Sequence, residues 1–508
     1  MEKATVFSSE KMTRAAGANA QVCARVYVAG AGARVRASEM CSHTKAPSLI
    51  AAFFCAMLLT AFAWPASASA AQEGTFNASA ADIQTSATQT TDTSWYTQNP
   101  TAKSYDISTP AQLRGLSALV NGEVDTNSDG KGDAVSFEGV TITQKGDLYL
   151  ADFASTGTWQ ETPFSPIGSA EHPFAGTYDG GGYDIYGLCV RDVYTYAGLF
   201  GCTAKTSVIK NVSIASGDGE SAPKSTVEIN ASTQIVRHVG SLVGRAQGSV
   251  LDSKSGASVS VISTTPATKT SPYVVQNVGG LIGSCTSDVS NCTFTRDGSL
   301  TVKVSTDTAI TDSDQSDDLR VADSFGGVVG RFGDVGTYGT LSACTNEGTI
   351  WVIATGAGSQ DRFKVNTYAA PFFVGGVCGY SNGNVVDCIN GTFDELRNTS
   401  TGLVSTSATD KPTGDSLDNQ GGDQVAGVVG GLRSVSEVEG KYNDGDPENP
   451  VVIRNCSNVG CVTGRVSVAG IVGETGAYTT VSQSKNGVPS QEEPGHITST
   501  RWNKPISG

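Results

Sequence analysis

Residues 196–201 (YAGLFG), 239–244 (VGSLVG), 278–283 (VGGLIG), 325–330 (FGGVVG), 374–379 (VGGVCG), 425–430 (VAGVVG) and 468–473 (VAGIVG) are seven versions of one hexapeptide, starting 43, 39, 47, 49, 51 and 43 residues apart. Apolar residues are framed by fixed glycines: Gly198, Gly201, Gly244, Gly280, Gly283, Gly327, Gly330, Gly376, Gly379, Gly427, Gly430, Gly470 and Gly473. An internal repeat of this period decides a fold more firmly than local propensity does.

A second element follows each copy: SVIKNVSI, SVLDSKSG, DVSNCTFT, TLSACTNEG, NVVDCINGT, VIRNCSNVG and TVSQSKNGV. The last four share a Cys or Ser two residues before an Asn, as Cys344/Asn346, Cys388/Asn390, Cys456/Asn458 and Ser484/Asn486. Cys292, Cys344, Cys388 and Cys456 fall in one register and are expected to form an inward column of free thiols. Ser253 and Ser484 stand in the same register, and Asn211 is read as its first member. Disulfides are the rival reading in an oxidising compartment, since stacked neighbours lie within bridging distance.

A short apolar strand bounded by Gly cannot bury itself alone. Stacking each copy on the next pairs the backbone at about 4.8 Å and buries the same side-chain column repeatedly. Glycine at each corner permits either φ > 0 or close backbone approach. Uneven spacing fits loops of different length on one side of the coil. A β-propeller wants four strands per blade and a regular period, which these copies lack. The expected fold is all-β: a right-handed single-stranded parallel β-helix over 190–490, with a small N-terminal capping module over 104–189.

Within that module Thr109, Pro110 and Gln112 read as N-cap, first helical residue and capping-box partner. Leu113, Leu116, Leu119 and Val120 then mark one face of a short helix, 110–121, expected to cover the first rung, because an open solenoid end exposes unpaired backbone. Residues 71–103 (TSATQTTDTS and its surroundings) lack periodicity and read as a disordered stalk. Residues 491–508 read as an uncapped or truncated tail.

The apolar run 49–63 (LIAAFFCAMLLTAFA) after Lys45, with Ala68-Ser69-Ala70 behind it, reads as a secretory signal peptide within 1–70; Met40 is the expected start. A membrane span would need about 20 residues. Removing residues 1–70, with seven Lys/Arg against three Glu, takes the net charge from −15 to −19. Such acidity repels nucleic acid and anionic lipid. Nine of the twelve cysteines remain, an odd number that argues against a fully paired framework. The expected setting is secreted or cell-surface.

The hexapeptide followed by Cys/Ser-x-Asn-x-Gly resembles the GLUG-motif repeat of bacterial secreted and cell-surface proteins. The segments YDISTPAQLRGLSALVNG, PFSPIG and FAGTYDGGGYDIYGL resemble the module that precedes such repeats, so the resemblance spans roughly 104–488. It implies a β-helix related to pectin-lyase-like folds and says little about function.

Chemistry is sparse. The four histidines are His43, His172, His238 and His496, and neither H-E-x-x-H nor C-x-x-C occurs, so zinc-site patterns are missing. A glycan-cleaving β-helix needs clustered carboxylates, or a base with a cation site, on one outer face. The outward position of the second element reads Lys210, Asp252, Asn291, Ala343, Asp387, Arg454 and Gln483, a mixed, solvated column. Asp125, Asn127, Asp129 and Asp133, with Gly130 at the turn, match the first half of an EF-hand loop. Ser136 stands where a bidentate Glu is wanted. The two readings are a calcium site and an Asx-rich turn. The functional expectation is a non-enzymatic, adhesin-like scaffold whose loops contact extracellular glycan or host or microbial surface protein. The alternatives are a polysaccharide lyase or hydrolase and a structural spacer. Trp351, Arg362 and Tyr368 are the expected loop contacts.

Overall fold

The structure, a computed structural model, describes residues 11–14, 21–24, 40–42, 90–265, 274–305, 323–334, 339–355, 373–394, 399–407, 424–432, 435–438, 441–444, 450–464, 467–487 and 497–499. It divides into two compact units, Met1–Asn77 and Ala78–Gly508. In the first, strands Lys11–Arg14, Gln21–Ala24 and Met40–Ser42 pair antiparallel in sequence order. The apolar run 49–63, the cleavage motif and residues 71–89 lie outside the described residues.

The second unit is a parallel β-helix. Five sheets of seven, seven, ten, nine and eight strands run its length. One coil shows the route: Val236–Val239 in sheet 1, Val243–Ala246 in sheet 2, Ser249–Leu251 in sheet 3, Lys254–Ser255 in sheet 4 and Ser258–Ser263 in sheet 5. Val275–Gly279 then re-enters sheet 1 directly above Val236–Val239. The hexapeptide is the corner between sheets 1 and 2. Its fifth residues stack as Phe200, Val243, Ile282, Val329, Cys378, Val429 and Val472. Its first residues stack from Val239 through Val278, Phe325, Val374 and Val425 to Val468. The first copy is one residue out of step on sheet 1, where Ala197 rather than Tyr196 meets Val239.

The corner glycines serve close approach. A Cβ on Gly283 would meet the Val239 nitrogen at 2.5 Å, and one on Gly330 would meet the Val278 nitrogen at 2.7 Å. The glycine at the third position of the hexapeptide faces inward across a thin interior. A Cβ on Gly327, Gly376, Gly427 or Gly470 would collide with the amide of Asn346, Asn390, Asn458 or Asn486 respectively. In the second copy Ser241 takes this place, donating at 2.8 Å to Ser255, the shorter residue opposite. Two walls of the coil therefore meet there, and the pair of positions shares one side-chain volume.

Those asparagines form a buried ladder in sheet 4. Asn346 donates to Asn390, Asn390 to Asn458 and Asn458 to Asn486, each at 2.7 Å. Identical rungs make this possible, since each amide offers a donor upward and an acceptor downward. Two residues earlier, Val212, Ser253, Cys292, Cys344, Cys388 and Cys456 stack, each carbonyl accepting the amide at 2.8–2.9 Å from the rung above. Val212, not Asn211, begins this column. The side chains behave alike: Cys292 and Cys388 lie 3.4 Å from the carbonyl two residues back, and Ser253 donates to its own at 2.7 Å. Cys292, Cys344, Cys388 and Cys456 are buried and free in the structure.

Asn211 belongs to the corner before that column. Asn211, Asp252, Asn291, Ala343, Asp387, Asn455 and Gln483 all have φ between 49° and 57°. Asn and Asp tolerate the left-handed region better than other non-Gly residues, which explains five of the seven. The outward column is thus corrected at two places. Lys210 and Arg454 sit one residue early, in register with Leu251 and with Val386.

The N-terminal stretch is continuous with the coil. Ser104–Ile107 and Thr141–Gln144 are already strands of sheet 3, and Leu148–Tyr149 begins sheet 4. Helix α1 (Ser94–Thr97) lies before them, and helix α2 (Pro110–Val120) joins the two sheet-3 strands, with the Thr109/Gln112 capping box formed. Leu113, Leu116 and Leu119 are fully buried, each burial contributing roughly 2 kcal/mol. Arg114 donates to the Leu150 and Pro163 carbonyls at 2.9 Å, and Ser117 donates to the Ser165 carbonyl at 2.8 Å, which ties α2 to the next layer. Residues 90–103 depart from the stalk expectation. Trp95 and Tyr96 pack with Tyr105 and Phe137 at 5.1–5.9 Å between centroids, and Asp92 crosses α2 at Gly115, where a Cβ would strike the Asp92 carbonyl. Two aromatics supply the burial that a Ser/Thr-rich composition conceals. At the other end Ile497–Ser499, within the expected tail, pairs with Val462–Gly464 as the eighth strand of sheet 5.

Long crossings recur at the corner between sheets 5 and 1, and single insertions lengthen other corners, at 215–225 and 391–403 between sheets 4 and 5 and at 433–450 between sheets 2 and 3. From sheet 5 to sheet 1 the chain takes 232–235 in one coil, then 264–274, 306–323, 356–372 and 408–423, and only 465–466 in the last.

Candidate functional site

The predicted metal loop is an exposed turn in which carboxylates hold backbone. Asp125 accepts from the amides of Ser128 at 2.6 Å and Gly130 at 2.8 Å, and Asp129 accepts from Lys131 at 2.9 Å. These amide bonds, Gly130 first, lower the Asp125 pKa. Asp133 accepts from Thr126 at 2.9 Å and from the Asn127 side chain at 3.1 Å. Among the described residues no group of three or more His, Cys, Asp or Glu side chains is placed to hold a metal ion.

The glycine and cysteine positions named from sequence lie at corners and in the interior, and so act through packing. Cys285 and Cys378 add two further thiols behind sheet 2. Burial pushes the Cys285 thiol up to about 12 and the Cys378 thiol higher still, so both remain protonated and unreactive. Trp351 is placed in the sheet 5 strand Thr349–Thr355 rather than on a loop, and Arg362 and Tyr368 lie outside the described residues.

Folding back of sheets 1 and 2 creates a polar seam outside the main core. His238 Nδ1 lies 2.7 Å from Ser284 Oγ, one rung on, and 3.4 Å from the Asn277 amide; Ser324 donates to Asn277 at 3.0 Å. Tyr196 stacks on His238 at 5.3 Å and 11°, Arg331 lies 5.2 Å over the Tyr380 ring, and Phe373 packs on Tyr380 at 4.7 Å. Burial, then the charges of Arg245, Arg237 and Arg331, push the His238 pKa down to about 4. The imidazole is therefore neutral at pH 7. A Ser–His pair can serve nucleophilic catalysis only with a reachable serine and a group that orients the base. Ser284 is 7% exposed, and among the described residues no carboxylate bonds His238. The seam is a fastening between two sheets.

Among the described residues, two of the hollows open to solvent. One of about 690 Å³ lies on the left-handed corner of the last rungs, lined by Asp387, Arg454, Asn455, Gln483, Ser484 and Lys485. Its lining holds one acid, Asp387, and two cations, Arg454 and Lys485, mixed in sign like the outward column. The other, of about 250 Å³, lies near the end of α2, where Glu138, Glu171 and His172 rim a floor that includes Val120, Pro173 and Ala175.

The outer face of sheet 4 carries an aromatic stack near its N-terminal end. Tyr149 stacks on Tyr186 at 5.0 Å and 13°, and Trp159 stacks on Tyr149 at 5.7 Å and 9°. Phe153 meets Trp159 edge-on at 4.9 Å, and Trp159 Nε1 donates to the Glu220 carbonyl at 3.2 Å. Tyr149 is 40% exposed although its ring sits in the middle of this row. Two carboxylates border it. Asp184 accepts from the Tyr186 hydroxyl at 3.1 Å, and its amide donates to Asp147 at 2.9 Å. Burial and then Asp184 push the Tyr186 pKa up to about 12. Alternation and register put Tyr149 and Tyr186 side by side on the outer face of sheet 4, a neighbourhood that neither segment announces alone. Trp159 arrives from the hairpin Asp152–Phe153/Trp159–Gln160, which no periodicity announces.

No family model, no curated protein and no solved structure matches this chain.

Proposed function

We propose that the chain is a non-enzymatic secreted or cell-surface scaffold, adhesin-like in organisation, that binds extracellular glycan or surface protein through segments displayed on a β-helix. The resemblance of its hexapeptides to GLUG-motif repeats supports the setting. The observation that carries the reading is the distribution of variability. Four crossings between sheets 5 and 1, at 264–274, 306–323, 356–372 and 408–423, are long, while the strands on either side keep register from rung to rung. Loops that vary on a fixed frame commonly carry recognition. A bare spacer has no use for them, and a hydrolase or lyase would need acids or bases converging on one face.

The test is a glycan array together with a polysaccharide-depolymerisation screen on the full chain. Binding without release of reducing or unsaturated sugar is the expected result. Product release would overturn the non-enzymatic reading, and silence on both, with no binding to cell-surface protein, would reduce the chain to a spacer.

A further inference from the structure

We infer that the buried cysteine column of sheet 4 is an oxidation site: Cys292–Cys344 and Cys388–Cys456 form two disulfides between stacked rungs when the chain folds in the presence of a disulfide donor. The structure holds the reduced form, with all four thiols free. The inference goes beyond the scaffold reading and does not depend on any ligand.

Three observations converge. The first is register. Cys292, Cys344, Cys388 and Cys456 occupy consecutive rungs, and the carbonyl of each of the first three accepts, at 2.9 Å, the amide of the residue after the next cysteine. Stacking at about 4.8 Å puts neighbouring Cα atoms inside the range a disulfide spans. The second is the rest of the column. Each thiol lies 3.2–3.4 Å from the carbonyl two residues back. The hydroxyls of Ser253 and Ser484 donate to the equivalent carbonyl at 2.7 Å and 3.0 Å, and Val212 fills the same place with no polar atom. Hydrogen bonding and packing are thus served by Ser and Val, and what cysteine adds is covalent chemistry. The two serines bound the column at four thiols, an even number, although nine cysteines follow residue 70. The third is spacing. Cys292 and Cys344 stand 52 residues apart and Cys388 and Cys456 stand 68 apart, whereas the other intervals from Val212 to Ser484 are 41, 39, 44 and 28. One of these two coils carries the crossing 306–323, and the other carries 391–403, 408–423 and 433–450. Closing a longer loop costs more chain entropy, so a cross-link across it stabilises more. Pairing from the ends of the column puts both bonds on the two longest coils, where a single Cys344–Cys388 bond would leave both open.

The donor is a small disulfide of the oxidised-glutathione type. One cysteine thiolate attacks it, forming a mixed disulfide and expelling one donor thiol. The stacked neighbour then attacks the cysteine sulfur, forming the protein disulfide and expelling the second. Two protein sulfurs are oxidised, one donor disulfide is reduced, and the two thiol protons leave on the donor thiols. The four side chains are at most 1% exposed once the coil is closed, so the exchange belongs to assembly, while the newest rung is still open.

The experiment compares two samples of the full chain. One is synthesised in a cell-free reaction with oxidised glutathione; the other is synthesised under reductant and given the same donor once folded. Each is denatured, alkylated without reduction and mapped by mass spectrometry. The first should yield linked peptides for Cys292–Cys344 and Cys388–Cys456, and the second should be alkylated at all four positions. The urea midpoint of the first should be higher by roughly 0.5 M or more. Cys344→Ser, a replacement already present in the column at Ser253 and Ser484, should lose the Cys292 link, keep Cys388–Cys456 and give back part of that rise. Circular dichroism checks that both samples and the variant are folded. Alkylation of all four cysteines in the first sample, a Cys344–Cys388 link, or bridges to cysteines outside the column would overturn the inference. The glycan array decides the scaffold reading separately, so either can fall alone.

Discussion

The two ends of the second unit solve one problem with different residues. Around 104–200 the interior is filled by large side chains, among them Phe137, Phe164, Phe174, Tyr178 and Phe200, all at most 3% exposed. From about residue 340 onward the same interior is built largely from Val, Cys, Leu, Ile, Gly and a ladder of Asn. Among the described residues the first region has no preceding rung to stack on, and its end is closed by a helix, a crossing strap and irregular aromatic packing. The later rungs inherit their geometry from the rung before. There, a position can be occupied by a buried amide at little cost, because the next amide satisfies it. Asn346 marks the limit of that arrangement: its Oδ1 has no partner, because the rung before it carries Phe294 instead.

The sharpest way to break the later region is to crowd its thinnest point. Gly376→Val would drive a side chain into the Asn390 amide and the Gly427 carbonyl. It should cost about 5 kcal/mol, enough to unfold a domain of ordinary stability; a urea midpoint close to the parent's would refute the two-wall contact. The N-terminal end should answer to cavity rather than crowding. Leu116→Ala, at a fully buried position of α2, should cost about 3 kcal/mol. Hydrogen exchange should then rise most in 104–121 and least in the Asn-ladder rungs, and a uniform rise would show that the two regions do not differ in local stability.

The seam between sheets 1 and 2 offers a smaller, pH-dependent contrast. The folded pKa of His238 is depressed to about 4, below its unfolded value. Between the two values the unfolded chain binds more protons, so this group's contribution is present above about pH 6.5 and is lost as pH falls towards 4. It is worth up to roughly 3 kcal/mol. His238→Gln should flatten that part of the stability profile relative to the parent, and parallel profiles would contradict the buried neutral imidazole. The smallest effect belongs to the 125–133 loop. Its carboxylates already accept loop amides and hydroxyls, so millimolar calcium should move the melting temperature by no more than about 1 °C. A larger rise, abolished in Asp125→Ala, would establish the calcium reading over the turn.

Much of the fold was legible because the repeat is legible. The hexapeptides, the capping box at Thr109 and Gln112, and the shared register of Cys292, Cys344, Cys388 and Cys456 can all be read as spacing. What escaped is what spacing does not encode. The left-handed corner shifts the outward column by one residue at Asn211 and Asn455, because only backbone conformation distinguishes them from their neighbours Lys210 and Arg454. The pairing of Gly376 with Asn390 depends on how far apart two walls stand. Trp95 and Tyr96 lie in a polar stretch whose composition outvotes two aromatics. The aromatic stack on the outer face of sheet 4 escaped for a similar reason: Tyr149 and Tyr186 are half of a pattern completed by a hairpin insertion, and the pair of acids beside them is adjacent only in register.

Rung-by-rung stacking is the claim on which the rest depends, and distances measure it directly. In sheet 4, Lys254, Ile389 and Lys485 occupy one outward column, with Ile389 three rungs and Lys485 five rungs beyond Lys254. With exposed Cys461 replaced by Ser, nitroxide labels at 254 and 389, and in a second sample at 254 and 485, should be read by pulsed electron spin resonance. Stacking predicts narrow distributions near 14 Å and 24 Å, an increment of about 4.8 Å per rung. Broad distributions, or separations that do not scale with rung number, would contradict the β-helix.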